Sequence, residues 1–156
     1  MAASHSAVNR LPEFQEVWDA YPEGGQSDVL KSLGQEKEGV WRREESSALF
    51  VSLALAGAGH GQPRTFKVKP EQLKDAAGNL LCVDVSDLVS NLKENIGAPK
   101  HAKDASKIAG QKGIVYFEGV AAIKDQSGHI DLFDGTTTKG TEYFTDATKV
   151  WFWEMK

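Results

Sequence analysis

The chain has 156 residues, 40% of them apolar and 26% charged, and 18 Lys and Arg against 22 Asp and Glu give a formal net charge of −4. That is the size and composition of one soluble domain able to bury a core, and its acidic balance lacks the basic field that phosphate-backbone binding needs. Nucleic acid is therefore not expected as a partner. The longest apolar run, residues 48–59 interrupted by Ser52, reaches about half of the ~20 residues that span a bilayer, so no membrane insertion is expected. The first residues lack a cationic start followed by an apolar stretch, so no secretory signal reads there. The expectation is synthesis in the cytosol, with any release or delivery by a non-classical route. A lone cysteine, Cys82, forbids an internal disulfide and a cysteine-based zinc cage.

Residues 1–10 are small and polar without periodicity, and read as a flexible lead-in to a domain over 11–156. Pro12 suits the first turn of a helix to about Ala20, with Phe14, Val17, Trp18 and Tyr21 on one face and Pro22 with Gly24-Gly25 as the stop. Residues 34–45 read as a charged surface loop. Ser46-Ser47, an apolar run and then Gly57 and Gly59 predict a buried central helix over about 47–56. Residues 65–69 suit a short strand ended by Pro70, and Ala77-Gly78-Asn79 turns the chain into the apolar run 80–83. A second helix follows, with Ser86 as cap, Leu88, Val89, Leu92 and Ile96 as its stripe, and Gly97 with Pro99 as its end. Residues 98–112 read as a polar linker. Beyond it, 113–117, 120–124, 128–133 and 149–153 are β-branched and aromatic runs between turn residues, which predict an antiparallel meander. Helices first and strands last indicate an α+β domain.

Chemistry would reside where the helix beginning at Ser46-Ser47 meets Gly128-His129-Ile130-Asp131. Papain-like hydrolases place a nucleophile at the N-terminus of a central helix, where the dipole lowers a thiol pKa, and a histidine on a neighbouring strand to take the proton. A serine before a helix is also an ordinary cap, and a strand histidine an ordinary packed side chain. Asp131, two residues from His129, shares its strand face and is either its partner or a structural hydrogen-bonding group. Cys82 sits mid-run and reads as core. His5, His60 and His101 show no ligand spacing, so neither metal nor cofactor is expected. The hydroxyl-rich loop with Thr136, Thr137, Thr138 and Thr141 is a candidate binding surface or a solvated turn. Trp41, in a charged loop, reads as displayed for binding, and Trp151 and Trp153 share a strand face.

Several segments together resemble the type VI secretion amidase effectors of family four, NlpC-like peptidases that cut peptidoglycan cross-bridging peptides. Phe14 to Pro22 is similar to the family's opening Phe, Trp, Tyr-Pro pattern, and residues 48–59 to its nucleophile helix. Residues 87–97 are similar to its second helix, Lys112-Gly-Ile-Val-Tyr-Phe117 to its Gly-Ile-x-x-Phe strand, and residues 143–151 to its closing segment. Gly128-His-Ile-Asp-Leu-Phe-Asp-Gly135 is similar to its Gly-His-x-Asp-Leu-Trp-Asn-Gly strand, the most specific of these matches. The resemblance implies a papain-like fold, the central helix packed on an antiparallel sheet over 113–153, and a cognate inhibitor protein as a possible partner.

The resemblance also marks departures. Ser47 stands in for the family's cysteine, Phe50 for an arginine and Ala56 for an asparagine, and the orienting acid expected near Gly140-Thr141 is not evident, with Glu142 next door. A hydroxyl is not ionised near neutral pH as a thiol partly is, so Ser47 and His129 imply a loss of several orders of magnitude in rate. Two functions follow: a non-catalytic relative acting as a binding, defence or toxin-like protein on cell-wall or cell-surface glycan or peptide, with Ser47, His129 and Asp131 as the positions of a degenerate triad, or a peptidoglycan amidase, either in an engineered Cys-to-Ser form or weakly active through Ser47 and His129.

Overall fold

The computed structural model describes residues 12–25, 28, 29, 31, 33, 47–59, 74, 75, 77–79, 81, 82, 84–123 and 128–156. The expected loop at 34–45 with Trp41, the strand at 65–69 and the lead-in at 1–10 lie outside these residues.

Helix α1, Phe14–Ala20, turns Phe14 and Val17 inward. It starts two residues after Pro12, not on it, because Glu13 is extended and the Phe14 amide donates to the carbonyl of Lys156 (2.7 Å), which ties the first turn to the end of the chain. Helix α2, Ser47–Gly57, buries residues from Ser47 to Ala56 on every side, Leu53 alone being partly exposed. A helix without a polar face belongs at the centre of a domain. Its contacts are with α1, with the third helix and with the sheet edge.

Helix α3, Val85–Asn95, is capped by Asp84, whose carboxylate accepts from the Asp87 amide at 3.0 Å. Ser86 is not the cap, because it lies inside the first turn with its side chain exposed. The turn at Ala77-Gly78-Asn79 forms as expected around Asp75, which accepts from the amides of Ala77 and Asn79. Leu81 and Cys82 beyond it are buried without joining a strand. The Cys82 amide instead donates to Ser52 Oγ on α2 (3.0 Å).

Four antiparallel strands follow: β1 Lys100–Ala102, β2 Gly113–Glu118, β3 His129–Phe133 and β4 Lys149–Glu154, in the spatial order β1-β4-β2-β3. Two features depart from the meander. The polar linker contains β1, whose His101 pairs with Trp151, and a 3₁₀ turn at Ala105–Lys107. Residues 120–123 form a turn after Gly119 (φ 68°), with Val120 and Ile123 packed into the core but hydrogen-bonded to no strand. Strand β4 pairs with β2 on the side opposite β3, whose outer edge is taken up by other contacts.

Three backbone groups on that edge are paired. The Ile130 amide donates to Ser47 Oγ (3.1 Å), the Leu132 amide to Asp131 Oδ1 (2.8 Å), and the Leu132 carbonyl accepts from the Lys139 amide (3.2 Å). An edge strand whose outward groups are paired offers no template to another chain. Alternation of side chains places Ile114, Ile130, Leu132 and Trp153 against the helices. On the other face Val115, Phe117, Phe133, Val150 and Phe152 form a second core with Ile108, Val120 and Ile123.

Candidate active site

Two structural ends meet at the site: the N-terminus of α2 and the outer edge of β3. Ser47 is the first residue of α2 and only 5% exposed, and its hydroxyl oxygen takes the amide hydrogen of the peptide linking His129 to Ile130. Helix and sheet are thereby joined at Ser47 and at Ile130, the residue after His129, 83 residues apart in the chain.

His129 is placed by Gly128, whose positive φ of 96° brings the chain tightly over Phe117 at the start of β3. Its imidazole packs edge-on to Tyr143 (5.1 Å between centroids) and lies 6.0 Å from the ring of Phe117. Nε2 lies 2.9 Å from Asp131 Oδ2. Asp131 is fully buried, and its carboxylate also accepts from the amides of Leu132 (2.8 Å, Oδ1) and Gly140 (2.8 Å, Oδ2). The alternatives open for Asp131 thus coincide: it is both a partner of the histidine and a hydrogen-bonding centre of the sheet edge. A carboxylate on one ring nitrogen sets the tautomer with the proton on that nitrogen, leaving Nδ1 as the acceptor.

No acidic side chain is found at the loop position where one was sought. Gly140 is there, its amide on Asp131, and Glu142 beyond it is exposed. The signal missed in the sequence is that Gly140 must be small: a Cβ would stand 2.9 Å from Asp131 Oδ2 and 3.7 Å from His129 Nε2.

On α2, Phe50 is 9% exposed and joins Val29, Leu49, Ala56 and Leu81 in an apolar cluster, with the Tyr21 ring edge-on at 5.6 Å. The hydroxyl loop is a turn organised by Asp134, whose Oδ1 accepts from the amides of Thr136 and Thr137. Thr136, Thr137 and Thr141 are exposed, while Thr138 pairs with Phe133 and donates to the Gly140 carbonyl (2.7 Å). The amides of Thr137 and Thr136 hold the Asp134 carboxyl below its ordinary range. Trp41 lies outside the described residues. Trp153 is core, its indole N–H donating to the Gly97 carbonyl, and Trp151 is partly exposed with its indole N–H on Glu118. Cys82 is fully buried far along the chain from Ser47, and burial pushes its thiol pKa up. Among the described residues no three His, Cys, Asp or Glu side chains come together as a metal site, and no helix is long and apolar enough to cross a membrane.

A buried helix that presents a hydroxyl at its N-terminus to a histidine strand of an antiparallel sheet defines the papain-like α+β class in its NlpC form. The family model of the type VI secretion system amidase effector protein 4 matches residues 44–153, and the chain belongs to that family. Solved structures agree in fold. The effector Tae4 from Enterobacter cloacae is 20% identical with a TM-score of 0.77, over 93% of this chain and 97% of that one. The Tae4-Tai4 effector-immunity complex from Enterobacter cloacae gives 20% and 0.77 over 93% and 99%. Tae4 from Salmonella typhimurium, in complex with the immunity protein Tai4 from Enterobacter cloacae, gives 19% and 0.76 over 93% and 99%. No curated protein matches in sequence.

Proposed function

We infer that this chain uses the amidase-effector scaffold to bind cell-wall peptide or glycan at the junction of α2 and β3, without cleaving it at an enzyme-like rate. One observation carries the reading: α2 presents no thiol but the Ser47 hydroxyl, which already accepts the Ile130 amide, and the positions corresponding to the family's arginine and asparagine, Phe50 and Ala56, lie in an apolar cluster. The family supplies the ligand class, and the exposed Thr136, Thr137 and Thr141 supply hydroxyls beside the site. By the same analogy a cognate immunity protein is the expected protein partner, and delivery goes through a secretion apparatus.

A second reading, weak hydrolysis, is favoured by the Asp131 carboxylate on His129 Nε2. In it Nδ1 takes the Ser47 proton as Oγ attacks the peptide carbonyl. The imidazolium returns that proton to the leaving amine, and water then releases the acyl group from Ser47.

Purified protein mixed with defined muropeptides separates the two. The expected result is saturable binding by calorimetry with substrate intact after hours. Release of new amino groups at an enzyme-like rate, abolished by His129→Ala, establishes the second reading, and absence of binding to muropeptides and glycan strands alike overturns the first.

A further inference from the structure

The turn after β3 is fastened at three consecutive residues. Thr138 bridges to Phe133 and donates its hydroxyl to the Gly140 carbonyl. The Lys139 amide donates to Leu132, and its ammonium sits 4.3 Å from the centroid of Trp18 and 5.7 Å from that of Tyr21, which anchors the turn to α1. Gly140 then aims its amide at the buried Asp131 Oδ2 (2.8 Å), the same oxygen that meets His129 Nε2 at 2.9 Å. A side chain cannot be added there without moving that oxygen, since a Cβ at 140 would lie 2.9 Å from it. The Tyr143 and Phe117 side chains pack against the ring, and the Lys139 ammonium is directed onto Trp18.

We propose that Gly140 is a positioning residue of this site: its amide hydrogen and its missing side chain hold the Asp131 carboxylate on His129 Nε2, so that the ring presents Nδ1 as its acceptor. The inference rests on the reading of His129 as the polar centre of the site, and its test does not depend on hydrolysis. Two acceptor demands on one carboxylate oxygen, one from a ring N–H and one from a backbone N–H, restrict both torsions of Asp131. Without the amide, the carboxylate is held on its outer side by Leu132 alone.

The experiment is nitrogen-15 NMR of the full chain above the titration of His129. In the unaltered protein the Nε2-protonated tautomer should dominate by about ten to one, as expected when the proton on that nitrogen is held by a carboxylate. The Gly140 amide should exchange with deuterium about tenfold or more slowly than the exposed amide of Thr141. Gly140→Ala should bring the tautomer ratio toward parity while the amide spectrum stays dispersed. In an Asp131→Ala background the same substitution should have no further effect on the ring, because the oxygen it collides with is gone. If Gly140→Ala does not fold, the wild-type measurements decide. A Gly140 amide that exchanges as fast as that of Thr141, or a His129 ring protonated at Nδ1, overturns the proposal, as does a folded Gly140→Ala protein with the tautomer ratio unchanged.

Discussion

Ser47 and Cys82 show how place in the fold sets the chemistry of a small polar side chain. Cys82 is fully buried, its thiol pKa raised by burial, and its sulfur donates to the Asp84 carbonyl. It should stay unmodified by iodoacetamide at neutral pH for as long as the protein is folded. A thiol at position 47 would instead sit at a helix N-terminus beside the His129 peptide, where the dipole favours the thiolate. Ser47→Cys should therefore take up one equivalent of iodoacetamide faster than native Cys82 does, with His129→Ala slowing it; mass spectrometry of the labelled peptides checks both. Labelling no faster than at Cys82 would show that the helix terminus is closed to reagents. Phe50→Arg tests the neighbouring departure. The guanidinium would enter the apolar cluster with Leu49, Ala56 and Leu81, and an unpaired charge there should cost about 3 kcal/mol, read as a lowered denaturant midpoint.

Among the elements, α3 separates a local signal from its structural use. Asp84 and Ser86 are both cap-type residues two positions apart, and the sequence pattern favours the serine at the head of the apolar stripe. The helix begins at Val85, whose side chain is buried in the main core, one residue before Ser86, so Asp84 stands at the cap. Asp84→Ala should cost about 1 kcal/mol, whereas Ser86→Ala should stay within about 0.5 kcal/mol of wild type in equilibrium unfolding. The reverse ranking would mean that the helix begins later in solution. The sheet carries the same lesson: runs 120–123 and 149–154 have equally strand-like composition, and only the second finds two partners, β1 and β2.

For the whole molecule, acid sensitivity follows from three carboxylates tied to backbone or hydroxyl donors. Asp134 is lowered by the Thr137 and Thr136 amides, and Asp104 by the hydroxyl and amide of Ser106. For Asp75 burial pulls upward, and hydrogen bonds from Asn79 and Ala77 outweigh it. A carboxylate with a folded pKa below its unfolded value contributes stability that is present above the unfolded value and lost as pH falls through the folded one. The thermal midpoint should therefore fall as pH drops from about 5 to 3, within the range where aspartates titrate, and Asp134→Asn should make that fall shallower. All three groups lie near the surface, so solvent screening keeps each contribution small. An Asp134→Asn melting profile parallel to that of wild type would remove Asp134 from the account.

The sequence by itself determined the central helix within a residue of its observed ends and three of the four strands, and it marked position 47 and the His129 strand as candidates. These are local patterns: apolar saturation, β-branched runs and a five-residue Gly-His-x-Asp-Leu signature that survives without knowledge of neighbours. Strand order, the edge strand hidden in the polar linker and the double role of Asp131 were decided only by tertiary structure. A three-residue strand such as Lys100–Ala102 is specified by the partner it borders, since its own composition is that of a loop. Asp131 acquires its third hydrogen bond from Gly140, nine residues away, and no periodicity records that a glycine there is a space kept for a carboxylate. Contacts between distant residues depend on how loops close, a property of the assembled chain that local propensity does not contain.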